Sequence, residues 1–155
     1  MSVTVGSKAP DFTLPNQELK PVTLSDELKN RHVVLAFFPA AFTSVCTKEL
    51  CTFRDSMAKL NDANAAVFGI SVDTPFTLKT FGAEQKLNFP LLSDFNKDVI
   101  RKYDVVIDDL LGLKGLAKRA VFVVDKSGTV RHAEVLADAR NEPDYGKVQQ
   151  ALAAI

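Results

Sequence analysis

The stretch Pro39-Ala-Ala-Phe-Thr43-Ser-Val-Cys46-Thr-Lys-Glu49-Leu-Cys51 decides how the rest of the chain is read. It follows an apolar run, His32-Val-Val-Leu-Ala-Phe-Phe38, of the kind a parallel strand buried on both faces requires. Pro39 ends that strand because it has no N–H to give to a ladder. Beyond the loop, apolar residues recur at Cys46, Leu50, Phe53, Met57 and Leu60, which is one face of an α-helix over 44–62. Cys46 then falls in the first helical turn, where the N–H groups are free and the helix dipole favours negative charge. A thiol so placed is biased toward the thiolate, which is its nucleophilic form.

The chain has 155 residues, enough for one domain with a full core, and residues 1–155 are read as one domain. Its composition, 46% hydrophobic and 25% charged, is that of an ordinary globular protein. Nineteen basic and 19 acidic side chains cancel, so no basic field draws nucleic acid or anionic membrane. No apolar run approaches the roughly 20 residues of a membrane span. The first residues, Met-Ser-Val-Thr-Val-Gly-Ser-Lys, lack a signal-peptide pattern, and the expected location is the cytoplasm. There a permanent structural disulfide is disfavoured, so the two cysteines are catalytic, metal-binding or inert core thiols. The only histidines, His32 and His132, complete no zinc pattern with them, and no metal is expected.

Taken in order, Phe12-Thr-Leu and Pro21-Val-Thr-Leu24 read as a hairpin around Pro15-Asn-Gln. Ser25–Asn30 reads as a helical turn capped by Ser25 or Asp26. Ala65–Val72 is a second apolar strand, and Pro75 starts a helix over 75–87. Leu91-Leu-Ser gives a short strand, and Asn96 to Lys102 a short helix. Residues 104–118, with Gly112 and Gly115, suggest an irregular loop. Arg119–Asp125 is a third central strand, Thr129–Leu136 its hairpin partner after Lys126-Ser-Gly128, and Asp144–Ala154 a closing helix.

The spelling Pro39-x-x-x-Thr43-x-x-Cys46, set in a strand–loop–helix, resembles the active-site motif of the peroxiredoxins. Ile70-Ser-Val-Asp73, Phe89-Pro-Leu-Leu-Ser-Asp94 and Arg119-Ala-Val-Phe-Val-Val-Asp125 are similar to recurrent segments of that family, and the resemblance covers nearly the whole chain. The order of elements is that of an α/β thioredoxin-like fold, with right-handed parallel crossovers. The N-terminal hairpin and the segment near 88–106 match what peroxiredoxins add to it. The resemblance implies a thiol-dependent peroxidase for hydrogen peroxide and organic hydroperoxides. It needs no cofactor and is recycled by a thioredoxin-like or other thiol reductant, as a monomer or homodimer.

Within that resemblance Cys46 is the peroxidatic nucleophile, oxidised to a sulfenic acid. Thr43 offers a hydroxyl to a peroxide oxygen, or serves as a helix N-cap, or both. Pro39 shapes the loop and shields the sulfur. Arg119 would stabilise the thiolate and the charge developing on oxygen, by the logic of an oxyanion site. The alternative is an exposed arginine at a strand end beside Lys118. The N–H groups of Val45 and Cys46 add donors. Glu49 either orders the arginine, stands near the thiol, or is simply a solvated helix residue. Phe38 and Phe42 are candidate apolar walls, with ordinary core packing as the default reading.

Cys51 carries two conflicting signals. A cysteine five positions after the nucleophile is the pattern of the PrxQ peroxiredoxins, where it resolves the sulfenic acid. The text around the motif is closer to the one-cysteine alkyl hydroperoxide reductase E group, recycled by an external thiol. No cysteine follows Cys51, which excludes a resolving cysteine near the C-terminus. A redox-sensing binding or chaperone protein is the alternative from another class. A thioredoxin-type oxidoreductase is disfavoured by the lack of Cys-x-x-Cys. In an ideal helix Cys46 and Cys51 would have Cα atoms about 8.6 Å apart and diverge by roughly 140°. That exceeds the roughly 7 Å a disulfide spans, so a bond between them requires residues 43–52 to unwind.

Overall fold

A short antiparallel hairpin opens the chain, β1 (Thr13–Pro15) with β2 (Pro21–Thr23), and runs into α1 (Leu24–Glu27). The computed structural model describes residues 3–155. The apolar runs then build a mixed sheet. Strand β3 (His32–Phe37) is followed by helices α2 (Ser44–Asp55) and α3 (Met57–Asp62), and by β4 (Ala65–Ser71). Helix α4 (Pro75–Glu84) leads to β5 (Leu91–Ser93), and α5 (Asp98–Lys102) follows. A small hairpin, β6 (Val106–Ile107) and β7 (Leu116–Ala117), precedes β8 (Ala120–Val124), β9 (Val130–Val135) and α6 (Tyr145–Ala153). The sheet order is β5-β4-β3-β8-β9. Neighbours β3, β4 and β5 are parallel, whereas β8 is antiparallel to β3 and β9.

The central strands are apolar throughout because both faces of the sheet are covered. Alternation along β3 divides the core accordingly. Val33, Leu35 and Phe37 join Phe12, Ile100, Tyr103 and Phe122 on one side. Val34, Ala36 and Phe38 join Cys46, Leu50, Phe53, Leu78, Phe81 and Leu152 on the other, beneath α2, α4 and α6. The apolar stripe of α2 therefore positions Cys46 as part of the core.

Several boundaries differ from those read in the sequence. The helix expected over 44–62 is two helices. The Ser56 N–H is shared between the Thr52 and Phe53 carbonyls, and its hydroxyl donates to the Thr52 carbonyl at 2.9 Å. This local bonding competes with the helical ladder and breaks it. Segment 104–118 is not an irregular loop: Val106 and Ile107 pair with Ala117 and Leu116. The first helix starts at Leu24 after Thr23, not behind a Ser25 or Asp26 cap. The Asp94 carboxylate accepts the N–H groups of Val99 and Ile100 and starts α5 at Asp98 rather than Asn96. Helix α4 ends at Glu84, with Gln85 as its cap, before the expected 87.

One glycine is required by packing. A Cβ on Gly69 of β4 would stand 2.7 Å from Leu91 Cδ2, with Phe38 and Leu50 also close. Overpacking of this kind costs about 1–3 kcal/mol. Gly69→Ala should lower the unfolding free energy by that amount, read as a lower urea midpoint at an unchanged denaturant slope. An unchanged midpoint would mean that α2 and β5 have slack against the sheet.

Candidate active site

The site begins where β3 runs out of ladder. Phe38 donates its N–H to the Ile70 carbonyl at 2.9 Å, and buried Pro39 has no N–H to continue the pairing. The chain then turns over the end of β4. There Asp73 Oδ2 accepts the Ala41 N–H at 2.8 Å and the Ser71 hydroxyl at 2.7 Å. Phe42 adopts a left-handed φ of 66°, and Thr43 returns to extended geometry as the residue before α2. Ser44, Val45 and Cys46 form the first turn, where backbone N–H groups have no partner within the helix.

Thr43 stands at the N-cap position, but its side chain caps nothing. Its hydroxyl donates to the Ala40 carbonyl at 2.9 Å, which leaves the oxygen lone pairs free to accept.

Arg119 is not an exposed strand-end charge: its side chain is only 2% exposed. Nη2 donates to Cys46 Sγ at 3.2 Å, and Nη1 donates to Glu49 Oε1 at 3.1 Å. Nε and Nη2 both donate to the Ala139 carbonyl, at 3.1 and 2.9 Å. Burial works against the guanidinium charge, but Glu49 and Cys46 outweigh it and hold Arg119 cationic.

Glu49, which as a helix residue reads most simply as solvated, is fully buried. Burial pushes its carboxyl up to about 8, against the pull of Arg119, and the Glu142 and Glu134 carboxylates add to the rise. Among the described residues its Oε2 has no hydrogen-bond partner. The Cys46 sulfur and the Glu49 carboxyl thus draw on one cation in a water-poor setting, and a protonated Glu49 leaves the guanidinium to the sulfur.

A groove of about 370 Å³ opens onto Cys46, lined by Pro39, Thr43, Val45, Arg119 and the leucines of the β6–β7 hairpin. Neither phenylalanine lines the groove, and core packing, the default reading, holds for Phe38. Phe42 is 52% exposed and stacks edge-on against Phe81, and Phe38 is wholly within the core. The left-handed backbone at Phe42 turns its ring out of the groove. Cys51, half-buried, lies away from Cys46, with its thiol toward Gln85 Oε1 at 3.6 Å. The site therefore gathers Pro39, Thr43, Val45, Cys46, Glu49 and Arg119, and leaves Cys51 apart. Sequence reading missed Asp73 as loop support, the Ala139 carbonyl and the leucine wall. Of these only Asp73 had a signal, since an acid directly after a core strand is out of place in a packed interior.

The chain was compared with known proteins. The AhpC/TSA family model matches residues 5–133. Peroxiredoxin Q of Sedum lineare chloroplasts is 45% identical over 129 residues, spanning 83% of this chain and 67% of the relative. Alkyl hydroperoxide reductase E of Mycobacterium tuberculosis is 40% identical over 135 residues, 86% of each chain. The crystal structure of peroxidoxin BcpB from the same organism superposes with a TM-score of 0.88 at 34% identity, covering 99% of this chain and 98% of that one. The chain belongs to the AhpC/TSA family of peroxiredoxins. Its fold is thioredoxin-like, and it is a thiol-dependent peroxidase.

The buried carboxyl makes stability depend on pH. The folded protein binds the Glu49 proton up to about 8, whereas an ordinary glutamate releases it near 4.5. Between these values the unfolded chain holds fewer protons, so stability falls as pH rises through the window and levels off above it. Glu49→Gln should flatten that fall when urea midpoints are compared across the same range. Parallel curves for the two proteins would show that Glu49 is already ionised when folded.

Proposed function

We propose that Cys46 is the peroxidatic nucleophile. The observation that carries this reading is the Arg119 Nη2 contact to its sulfur, at 3.2 Å, in the first turn of α2. The thiolate attacks the terminal oxygen of a hydroperoxide. An S–O bond forms and the O–O bond breaks, so the sulfur becomes a sulfenic acid and the other oxygen leaves as alkoxide or hydroxide. The leaving oxygen takes a proton to become alcohol or water. Thr43 Oγ1, with its own proton committed to Ala40, accepts the substrate's O–H and orients it. Arg119 and the Val45 and Cys46 N–H groups stabilise the charge moving onto oxygen. Pro39 closes the floor of the groove and limits water.

Recycling runs through Cys51: its thiol attacks the sulfenic sulfur, a disulfide forms and water leaves. The intact α2 cannot hold that bond, because an ideal helix keeps the two Cα atoms about 8.6 Å apart. The helix start is built to yield. It has no side-chain cap and no acidic residue in its first turn, and a bulky residue in left-handed geometry precedes it. A thioredoxin-like dithiol in the cytoplasm then reduces the disulfide. A second reading, the one-cysteine route with an external thiol, is favoured by the orientation of Cys51 toward Gln85 rather than Cys46.

Cys46→Ser should abolish peroxide reduction, and Cys51→Ser should leave the first oxidation nearly intact. Mass spectrometry after one equivalent of peroxide reads both. An intramolecular disulfide should appear together with lost amide protection over 43–52. Sulfenic acid at Cys46 without a disulfide would assign the external-thiol route, and turnover in Cys46→Ser would remove the nucleophile assignment. Arg119→Ala should lose about 2.7–4 kcal/mol of transition-state stabilisation, read as a 10²–10³-fold slower second-order rate.

A further inference from the structure

Helix α2 is tied to the end of α4 through a single residue, Gln85. Cys51 and Arg54 lie one turn apart on α2, so their side chains share one flank of the helix. The Cys51 thiol donates to Gln85 Oε1 at 3.6 Å. Arg54 Nη1 donates to the main-chain carbonyl of the same residue. Asn88 Nδ2 closes the junction by donating to the Arg54 carbonyl at 3.3 Å.

The end of α4 holds Gln85 in a fixed place. The Leu87 N–H reaches back to the Gly82 carbonyl at 2.9 Å, and the Lys86 N–H to the Ala83 carbonyl at 3.2 Å. This pair of bonds is a Schellman motif, whose left-handed position is usually glycine. Lys86 occupies it here, at φ 54°. The Gln85 carbonyl is thereby set at the negative end of the α4 dipole, where a guanidinium is favoured. Arg54 anchors α2 from beyond the segment 43–52 that the recycling route unwinds, whereas Cys51 lies inside that segment. Of the two contacts to Gln85, only the thiol's has to break for Cys51 to reach the sulfenic sulfur.

We propose that Gln85 is a positioning residue for the resolution step: its side-chain oxygen retains the Cys51 thiol on the α4 side of the helix and so sets how long the Cys46 sulfenic acid lasts. The inference rests on the Cys51 route and adds the group that times it. In that step the Cys51 sulfur bonds to the Cys46 sulfur, the S–O bond breaks, and the hydroxyl leaves as water with the thiol's proton. That proton is the one committed to Gln85. While it stays there, a second hydroperoxide can oxidise the sulfenic acid to sulfinic acid instead, and is itself reduced to alcohol or water.

The test gives the full chain a pulse of hydrogen peroxide, quenches with acid at successive times, and follows the conversion of sulfenic acid to disulfide by mass spectrometry. Gln85→Leu removes the acceptor and keeps the main-chain carbonyl. It should speed disulfide formation about two- to fivefold, the low end of what one hydrogen bond sets, because a thiol is a weak donor. The second-order rate of the first oxidation should stay the same, and less sulfinic acid should accumulate at high peroxide. Gln85→Glu keeps an acceptor and should resolve no faster than the wild type. Asn88→Ala loosens the same junction without touching the thiol and should leave the resolution rate where it was. An unchanged rate in Gln85→Leu overturns the proposal. So does an equal acceleration in Gln85→Glu or Asn88→Ala, since the cause would then be a looser junction between the helices. A wild-type protein that stops at sulfenic acid removes the Cys51 route itself, whereas a disulfide that forms at the same rate with and without the Gln85 side chain removes only the role of Gln85.

Discussion

The structure turns on one buried guanidinium. Arg119 reaches a sulfur, a carboxylate and a carbonyl in three directions, which its planar fork of donors allows and a lysine would not. The three acceptors come from two turns of α2 and from the segment after β9. The arginine thus ties α2, the start of β8 and the loop after β9 together at the Cys46 sulfur. Taking a cation out of water is costly unless its donors are met, and here four hydrogen bonds meet them. Its two acidic partners share one positive charge, so the proton on Glu49 and the electron density on sulfur are linked.

Much of this was legible in the sequence, and the reason is physical. Strands buried on both faces of a sheet need unbroken apolar runs, and β3, β4 and β8 could be found from these alone. Cys46 announced itself because a helix starting after a core strand has a defined first turn. Other features were hidden because they depend on contacts distant in the chain. Glu49 reads as a surface residue until Arg119 arrives from 70 positions away. The Ala139 carbonyl has no side-chain signature at all. Glycines and charges disguised the β6–β7 hairpin as a loop, and only its pairing shows that its leucines face the site. Phe42 was misplaced because its ring direction follows from a left-handed backbone that periodicity does not report.

Rigidity and compliance are kept apart in the molecule. The central strands and the residues beneath them are packed to near-zero exposure. The loop 40–43 above it relies on a few polar contacts, Asp73 with Ala41 and Thr43 with Ala40, and carries a strained residue. Regions of this kind open at lower free energy than the core they rest on. Cys46 therefore sits at the border between the two, at the foot of the compliant loop, while the guanidinium is anchored from the sheet.

The interruption at Ser56 bears on how far such an opening can spread. Helix–coil transitions propagate along continuous hydrogen bonds, since each lost turn loosens the next. At Ser56 the ladder is already weakened, its N–H shared between two carbonyls, and α3 begins anew with Leu60 fully buried. Melting that starts at Thr43 meets the end of α2 at Asp55 before it reaches α3 and β4. The serine acts as a firebreak: it marks the border between the segment that the proposed recycling route unwinds and the buried unit on which that segment rests.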